Sequence, residues 1–238
     1  MRKYRILLNG NKAMTIELGN VVDEQINTQV SEIASYIAEK EILGITDFIP
    51  TFRSLTVCYE PQIISAGTVK SVLKKAYKNC GSQVGKKHKV VCIPVCYDVS
   101  FGVDLEEVAA YHGLKKEEVV RLHSEKDYLI YMMGFLPGFP YLGGMNPKLN
   151  TPRLESPRTR IDPGSVGIGG EQTGIYPMAS PGGWRLIGRT PVKLYDTEKE
   201  NSVPYEVGDY IRFVPVDLAE YKRIEEQVKR GTYEIKME

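Results

Sequence analysis

Three arginines, Arg153, Arg158 and Arg160, fall close together in the stretch TPRLESPRTR. Pro152 and Pro157 precede the first two, and a proline ring fixes φ at about −65°, which limits how far the guanidinium groups can wander. A planar guanidinium takes a carboxylate or phosphate through two parallel hydrogen bonds, and a preordered one loses less entropy in doing so. The same arginines can instead pair on the surface with Glu155, Asp162 or Glu171. Further on, GGEQTGIYP offers Gln172, Thr173 and Tyr176, an amide and two hydroxyls suited to a small amide or lactam, among glycines that permit close backbone approach. The neighbouring GIGG reads as tight turns rather than a phosphate cradle, because it lacks the Gly-Lys-Ser/Thr ending of a P-loop.

His123, at the end of a helical stretch, is the histidine within reach of these groups. It can act as an acid or base near neutral pH or make a structural bond. Cys58, Cys80, Cys92 and Cys96 all lie in the first half and do not group with His88, His112 or His123, so no metal site is expected. The stretch GFLPGFPYLGG sets Phe135, Phe139 and Tyr141 among glycines and prolines, a rigid apolar rim. Trp184, the sole tryptophan, reads as a core or pocket wall. Rim and arginines together describe a mouth for a small polar anion, although exposed aromatics equally suit docking of another protein.

The elements that must position these residues fall into two halves. Met14, Ile16 and Leu18 alternate as on a strand, and Ile26, Val30, Ile33 and Ile37 follow at helical spacing. ITDFIP and RSLTVCYE read as strands, AGTVKSVLKKAY as a helix through Val69, Val72, Leu73 and Ala76, and KVVCIPVCY as a closing strand. The order βαββαβ predicts a ferredoxin-like domain over residues 1–97. Residues 98–238 open with two short helices broken at Gly113, the first N-capped by Asp104. From Gly134 to Pro191 the chain spends 12 of its 22 glycines and 9 of its 14 prolines between short β-prone runs, which predicts a barrel. A polar turn at EKENS, a strand YIRFVPV and a helix with Leu218, Tyr221, Ile224 and Val228 complete an α+β chain.

A net charge of +1 gives no reason to expect nucleic acid or an anionic membrane. The helix–glycine–helix stretch is read against DNA binding, because Glu117 and Glu118 interrupt its lysines. The N-terminus has only Ile6, Leu7 and Leu8 as an apolar run, too short for a signal peptide or a membrane span, so a cytoplasmic protein is expected.

GFLPGFPYLGG, PRLESPRTR, PGSVGIGGEQTGIYP and SPGGWRLIGRTP, in this order, resemble the signature of the allophanate hydrolase subunit 1 family. GNKA near the start, IPTFRSLTVCYEP, and IPVCYD followed by DLEEVAAYHGL extend the resemblance over nearly the whole chain. The resemblance implies a cyclophilin-like barrel in the second half. The family motif contains Arg153 and Arg158, which are therefore favoured as substrate-binding; the reading of the residues themselves adds Ser165, Gln172, Thr173 and Tyr176 as substrate-binding, His123 as the acid–base candidate, and Phe135, Phe139, Tyr141 and Trp184 as rim or partner-binding. The family includes a subunit of bacterial 5-oxoprolinase and KipI, an inhibitor of a sporulation histidine kinase. The first implies ATP-dependent opening of 5-oxoproline, with a larger partner of the allophanate hydrolase subunit 2 type and a third subunit. On that reading ATP is used by the complex and no cofactor is bound by this chain alone. The second implies a histidine kinase as partner, and a urea or allophanate pathway subunit is a third reading.

Overall fold

The computed structural model describes residues 4–80, 88–198 and 202–238, so residues 199–201 of the expected polar turn lie outside the described residues. The chain divides into two units, Met1–Lys87 and His88–Glu238.

The first unit runs β1 (Arg5–Asn9), β2 (Ala13–Glu17), α1 (Glu24–Ala38), β3 (Ile45–Pro50), β4 (Ser54–Tyr59) and α2 (Ala66–Asn79). Its strands form one antiparallel sheet in the order β1-β2-β4-β3. Asp23 accepts from Ile26 N at 3.0 Å to start α1, and Ser65 accepts from Thr68 N at 3.1 Å to start α2, each satisfying an N–H the helix leaves free. Ile26, Val30, Ile33 and Ile37 of α1 and Val69, Leu73 and Ala76 of α2 bury their stripes in one core with Met14, Ile16, Leu55 and Val57 of the sheet.

The order is therefore ββαββα, not the expected βαββαβ. Two strands account for the difference. β1 lies at a sheet edge with only Ile6 partly covered, so it shows no in–out alternation to read. The strand expected to close this sheet, Val90–Cys96, belongs to the second unit instead. The boundary thus falls at residue 87 rather than 97, and the expected junction at 97–103 lies inside the second unit.

That unit is a closed barrel with helices packed on it. Val90–Cys96 is β5, followed by α3 (Leu105–Tyr111), α4 (Lys116–Ser124), β6 (Asp127–Met133), β7 (Pro140–Gly143), β8 (Arg158–Ile161), β9 (Ser165–Gly169), β10 (Gln172–Ile175), β11 (Ser180–Gly182), β12 (Arg185–Arg189), β13 (Tyr210–Val216) and α5 (Leu218–Lys229). Seven strands close in the order β10-β7-β6-β13-β5-β12-β9, and β8 pairs separately with β11. β5 runs parallel to β13 along its whole length and is buried from Val91 to Cys96, which is why VVCIPVC is apolar without alternation. Val91, Ile93, Ile130, Leu142, Val166, Ile168, Ile187 and Phe213 share the core with Leu105, Val108, Val119 and Leu122 of the two short helices. Among the described residues no helix is long and apolar enough to cross a membrane.

Candidate functional site

Strand alternation gives the β9–β10 hairpin two chemically different faces. Val166, Ile168 and Thr173 face the barrel core, and Gly167, Gly169 and Gly174 face the other way. Trp184 lies over these glycines. A Cβ at Gly174 would stand 3.0 Å from indole Cζ3, one at Gly167 3.2 Å from Trp184 Cβ, and one at Gly169 would collide with the indole. The glycine spacing that reads as turns in the sequence is thus, in large part, a seat for an aromatic ring.

Around the indole the structure gathers most of the expected rim. Phe139 is the hub, with ring centroids 5.4 Å from Trp184, 5.2 Å from Tyr176, 5.1 Å from Tyr141 and 5.6 Å from Phe135. Its contacts with Trp184, Tyr176 and Phe135 are edge-to-face, the arrangement that the ring quadrupole favours. Phe139, Tyr176 and Trp184 are buried with Ile161 and Leu186, while Phe135 is 60 % exposed. The loop is held by Gly134 N donating to Phe139 O at 3.2 Å, Phe139 N to Leu136 O at 3.0 Å, and the buried Tyr205 hydroxyl to Gly138 O at 2.7 Å. Phe135 takes φ = 66°, left-handed backbone that an aromatic residue rarely adopts.

The arginines separate by partner. Arg153 stands with its guanidinium carbon 5.9 Å from the indole centroid, exposed, and among the described residues it meets no carboxylate. Its neighbours are all paired: Arg158 with Asp104 at 2.7 Å, Arg189 with Asp162 at 2.7 Å, Arg160 with Asp162 at 3.4 Å and Arg185 with Glu107 at 2.5 Å. Arg158, read with Arg153 as substrate-binding or else as paired with Glu155, Asp162 or Glu171, is engaged in an ion pair with Asp104 instead. Asp104 stands at the N-cap position of α3 but makes no capping bond, because its carboxylate is turned to Arg158 and the Leu186 N–H. The sequence gives no sign of this, since the partner lies 54 positions away.

Tyr176 is tuned by the same cluster. Burial raises its phenol above the ordinary range, while a hydrogen bond with the Trp184 backbone and the charges of Arg153 and Arg158 pull the other way. Gln172 sits two residues before Gly174 on β10 and leaves on the indole face, half-buried. The indole N–H meets no acceptor among the described residues. Ser165 is buried at the start of β9, where its carbonyl accepts from Tyr176 N at 2.9 Å.

Thr173 and His123 are brought together elsewhere, inside the barrel. Thr173 Oγ1 donates to Gly167 O at 3.0 Å, so it accepts from His123 Nε2–H at 2.8 Å, which leaves Nδ1 to accept from the Tyr97 hydroxyl at 2.8 Å. The imidazole is 0 % exposed, stacks on Phe213 at 4.4 Å, and burial depresses its pKa to about 3. It is neutral at pH 7, with both nitrogens taken. Burial pushes the Tyr97 hydroxyl well above its ordinary range, so it too keeps its proton. His123 thus bridges core elements and is not presented to a ligand on the outer face. A cleft of about 340 Å³ lined by Tyr97, Asp98, Leu105 and Lys116, and another of about 240 Å³ beside Arg189 and Tyr221, have none of the aromatic cluster in their walls. Among the described residues no group of three His, Cys, Asp or Glu is placed to hold a metal ion.

Residues 4–205 match the carboxyltransferase domain, subdomain C and D. The chain is 40 % identical over 235 residues to the B subunit of 5-oxoprolinase from Bacillus subtilis (strain 168), covering 94 % of this chain and 98 % of that protein. The crystal structure of TTHA0988 superposes with a TM-score of 0.77 at 35 % identity over 87 % of this chain, which spans 40 % of the TTHA0988 chain. The urea carboxylase of Kluyveromyces lactis shares the fold, with a TM-score of 0.82 over 99 % of this chain and 24 % of that one, at 20 % identity. In keeping with the resemblance read from the four glycine-rich and arginine-rich motifs, the chain belongs to the family of the 5-oxoprolinase B subunits, built on carboxyltransferase subdomains C and D.

Proposed function

We propose that the chain is a non-autonomous subunit of an ATP-dependent 5-oxoprolinase, and that it holds the substrate on the Arg153–Trp184 face. The observation that carries this reading is the exposed Arg153 guanidinium, stacked over the indole with no carboxylate partner among the described residues, beside paired arginines. 5-Oxoproline is a five-membered lactam bearing one carboxylate. The carboxylate suits Arg153 as a charge-assisted pair, the ring suits the aromatic wall, and the indole N–H and the Gln172 amide match the lactam carbonyl and N–H.

In the reaction, water adds at the lactam carbonyl carbon, the C–N bond breaks, and the nitrogen takes a proton to become the amine of glutamate. ATP hydrolysis drives the opening and is a property of the complex rather than of this chain. The groups on this face bind and orient. A larger partner of the allophanate hydrolase subunit 2 type and a third subunit supply the rest, in the cytoplasm, and the barrel is of the cyclophilin type. Ser165 and Thr173 support the face through the β9–β10 backbone.

Trp184, as the sole tryptophan, reports on the site directly. Titration with 5-oxoproline, of the chain alone and of the reconstituted three-subunit mixture, is expected to change its fluorescence. Arg153→Gln should weaken apparent affinity on the order of 10- to 100-fold, as loss of a charge-assisted pair does. Arg160→Gln, whose partner Asp162 keeps Arg189, should leave affinity unchanged. Equal effects from both variants, or no response in either preparation, would sink the reading. Binding of a histidine kinase dimerisation domain with no gain of oxoprolinase activity would favour the regulator instead.

A further inference from the structure

Asp104 is 5 % exposed, and both of its oxygens are used. Oδ1 accepts from Arg158 Nη2 at 2.7 Å and Oδ2 from Leu186 N at 2.6 Å. Its own N–H donates to Leu186 O at 2.9 Å, so residue 104 grips both polar groups of the Leu186 backbone. Arg158, held by the same carboxylate, reaches Trp184 O from Nη1 at 3.4 Å. Between these two residues, Arg185 is drawn to Glu107 at 2.5 Å and to Pro152 O at 3.4 Å, next to Arg153 in sequence. Trp184 and Leu186 are both members of the aromatic cluster. The backbone that carries them is thus tied to one carboxylate, directly at 186 and through Arg158 at 184.

We propose that Asp104 is the positioning residue of the substrate face: it holds Trp184 on its glycine seat and occupies Arg158, leaving Arg153 to take the anion. This rests on the Arg153–Trp184 face being the substrate site. A carboxylate with these partners does two things an ordinary N-cap cannot. It fixes the backbone from which the indole leaves, immediately before β12, and it removes one of two neighbouring guanidinium groups from competition for the ligand.

Asp104→Asn keeps the shape, removes the charge and turns an amide N–H₂ toward one of two donors. Asp127→Asn is the control, since Asp127 takes Arg212 at 2.6 and 2.8 Å between β6 and β13, elsewhere on the barrel. Both variants are expected to lower the unfolding midpoint. Only Asp104→Asn should shift Trp184 emission and weaken 5-oxoproline binding by roughly tenfold. Iodide, an anion that Arg153 concentrates at the indole, and neutral acrylamide read the positioning without substrate. Asp104→Asn removes a negative charge and releases the Arg158 guanidinium beside Trp184, so it should raise the ratio of iodide to acrylamide quenching, and Asp127→Asn should not.

A wild-type chain silent to 5-oxoproline would remove the substrate reading while leaving the quenching ratio to decide on Asp104. Should Asp104→Asn not fold, Asp104→Glu, which keeps the charge but lengthens the reach, is expected to shift Trp184 emission and its quenching by neutral acrylamide, because the backbone at 184 and 186 moves. Unchanged quenching and affinity in the Asp104 variant, or equal losses in both positions, overturns the proposal.

Discussion

The two faces of the β9–β10 hairpin carry similar polar chemistry put to opposite ends. On the inner face Tyr97, His123, Thr173 and the Gly167 carbonyl form one chain of hydrogen bonds in which every donor has an acceptor. On the outer face the Arg153 guanidinium and the indole N–H are left without acceptors among the described residues. A buried polar group left unpaired costs more than a paired one contributes, so interior polar groups are selected to be satisfied. A binding face must keep donors unspent until a ligand arrives. The contrast separates a histidine whose nitrogens are both bonded within the fold from an arginine that, on the proposed function, takes an anion, although the sequence offers both as site residues.

Among the polar residues of the two faces, the largest expected effect on stability is at His123, on the inner face. Its pKa is about 3 in the folded chain against an ordinary 6.5, so between these values the unfolded chain binds a proton that the folded chain refuses. The stability this group contributes is whole above about pH 6.5 and drains as pH falls toward 3, at up to about 1.4 kcal/mol per pH unit. His123→Gln should cost about 3 kcal/mol at pH 7.5 through lost stacking on Phe213 and imperfect bonding to Tyr97 and Thr173. It should also flatten the decline between pH 7.5 and 5 by about 2 kcal/mol, read from urea unfolding at both values. If oxoprolinase turnover collapsed while stability and its pH slope stayed put, the inner face would be catalytic and the comparison would fail.

Arg158→Gln is expected to act next most strongly, and on stability as well as binding. The change leaves the buried Asp104 carboxylate with the Leu186 N–H but without its cation, at a cost of about 2 kcal/mol, discounted from a fully buried pair because the Arg158 side chain is 30 % exposed. An Arg158 that were a free ligand clamp would behave like Arg153, losing affinity with almost no loss of stability. Chemical denaturation of the two variants side by side separates these outcomes.

Where a residue's neighbours in sequence are also its neighbours in space, the sequence was readable. The Ile26–Val30–Ile33–Ile37 stripe and the Met14–Ile16–Leu18 alternation follow from local periodicity; the helix is found as read, and the strand runs from Ala13 to Glu17, just short of the buried Leu18. That Phe135, Phe139 and Tyr141 pack together is legible in the composition of their loop, whereas the contact of Phe139 with Trp184, 45 positions on, is not. Illegible were the features set by distant pairing. β5 is apolar at nearly every position, which a sheet covered on one face does not require and a strand enclosed in a barrel does, but the strand that encloses it, β13, lies more than a hundred positions on. Asp104 has the look of an N-cap for the same reason. The sorting of the arginines depended on which carboxylates folding brought near, and no spacing rule distinguishes Arg153 from Arg158.

Only a small effect on stability is expected at Phe135, although this residue has left-handed backbone. At φ = 66° a non-glycine residue stores on the order of 1 kcal/mol of strain, which glycine would not feel. Phe135→Gly gives up the edge contact with Phe139, worth about 1 kcal/mol, and adds entropy to the unfolded chain, worth somewhat under 1 kcal/mol. These terms nearly cancel, so the unfolding free energy should move by about 1 kcal/mol or less, whereas Phe139→Ala, at the hub of the cluster, should cost about 3 to 5 kcal/mol. On the proposed function, a strained and exposed aromatic that adds so little to stability is available for contact with a ligand edge or a partner subunit. Phe135→Gly should therefore weaken 5-oxoproline binding or assembly of the three-subunit complex, the second read by size exclusion at fixed concentration. A loss above about 2 kcal/mol, with binding and assembly intact, would make the loop a brace for the fold and place Phe135 with the inner face rather than the outer one.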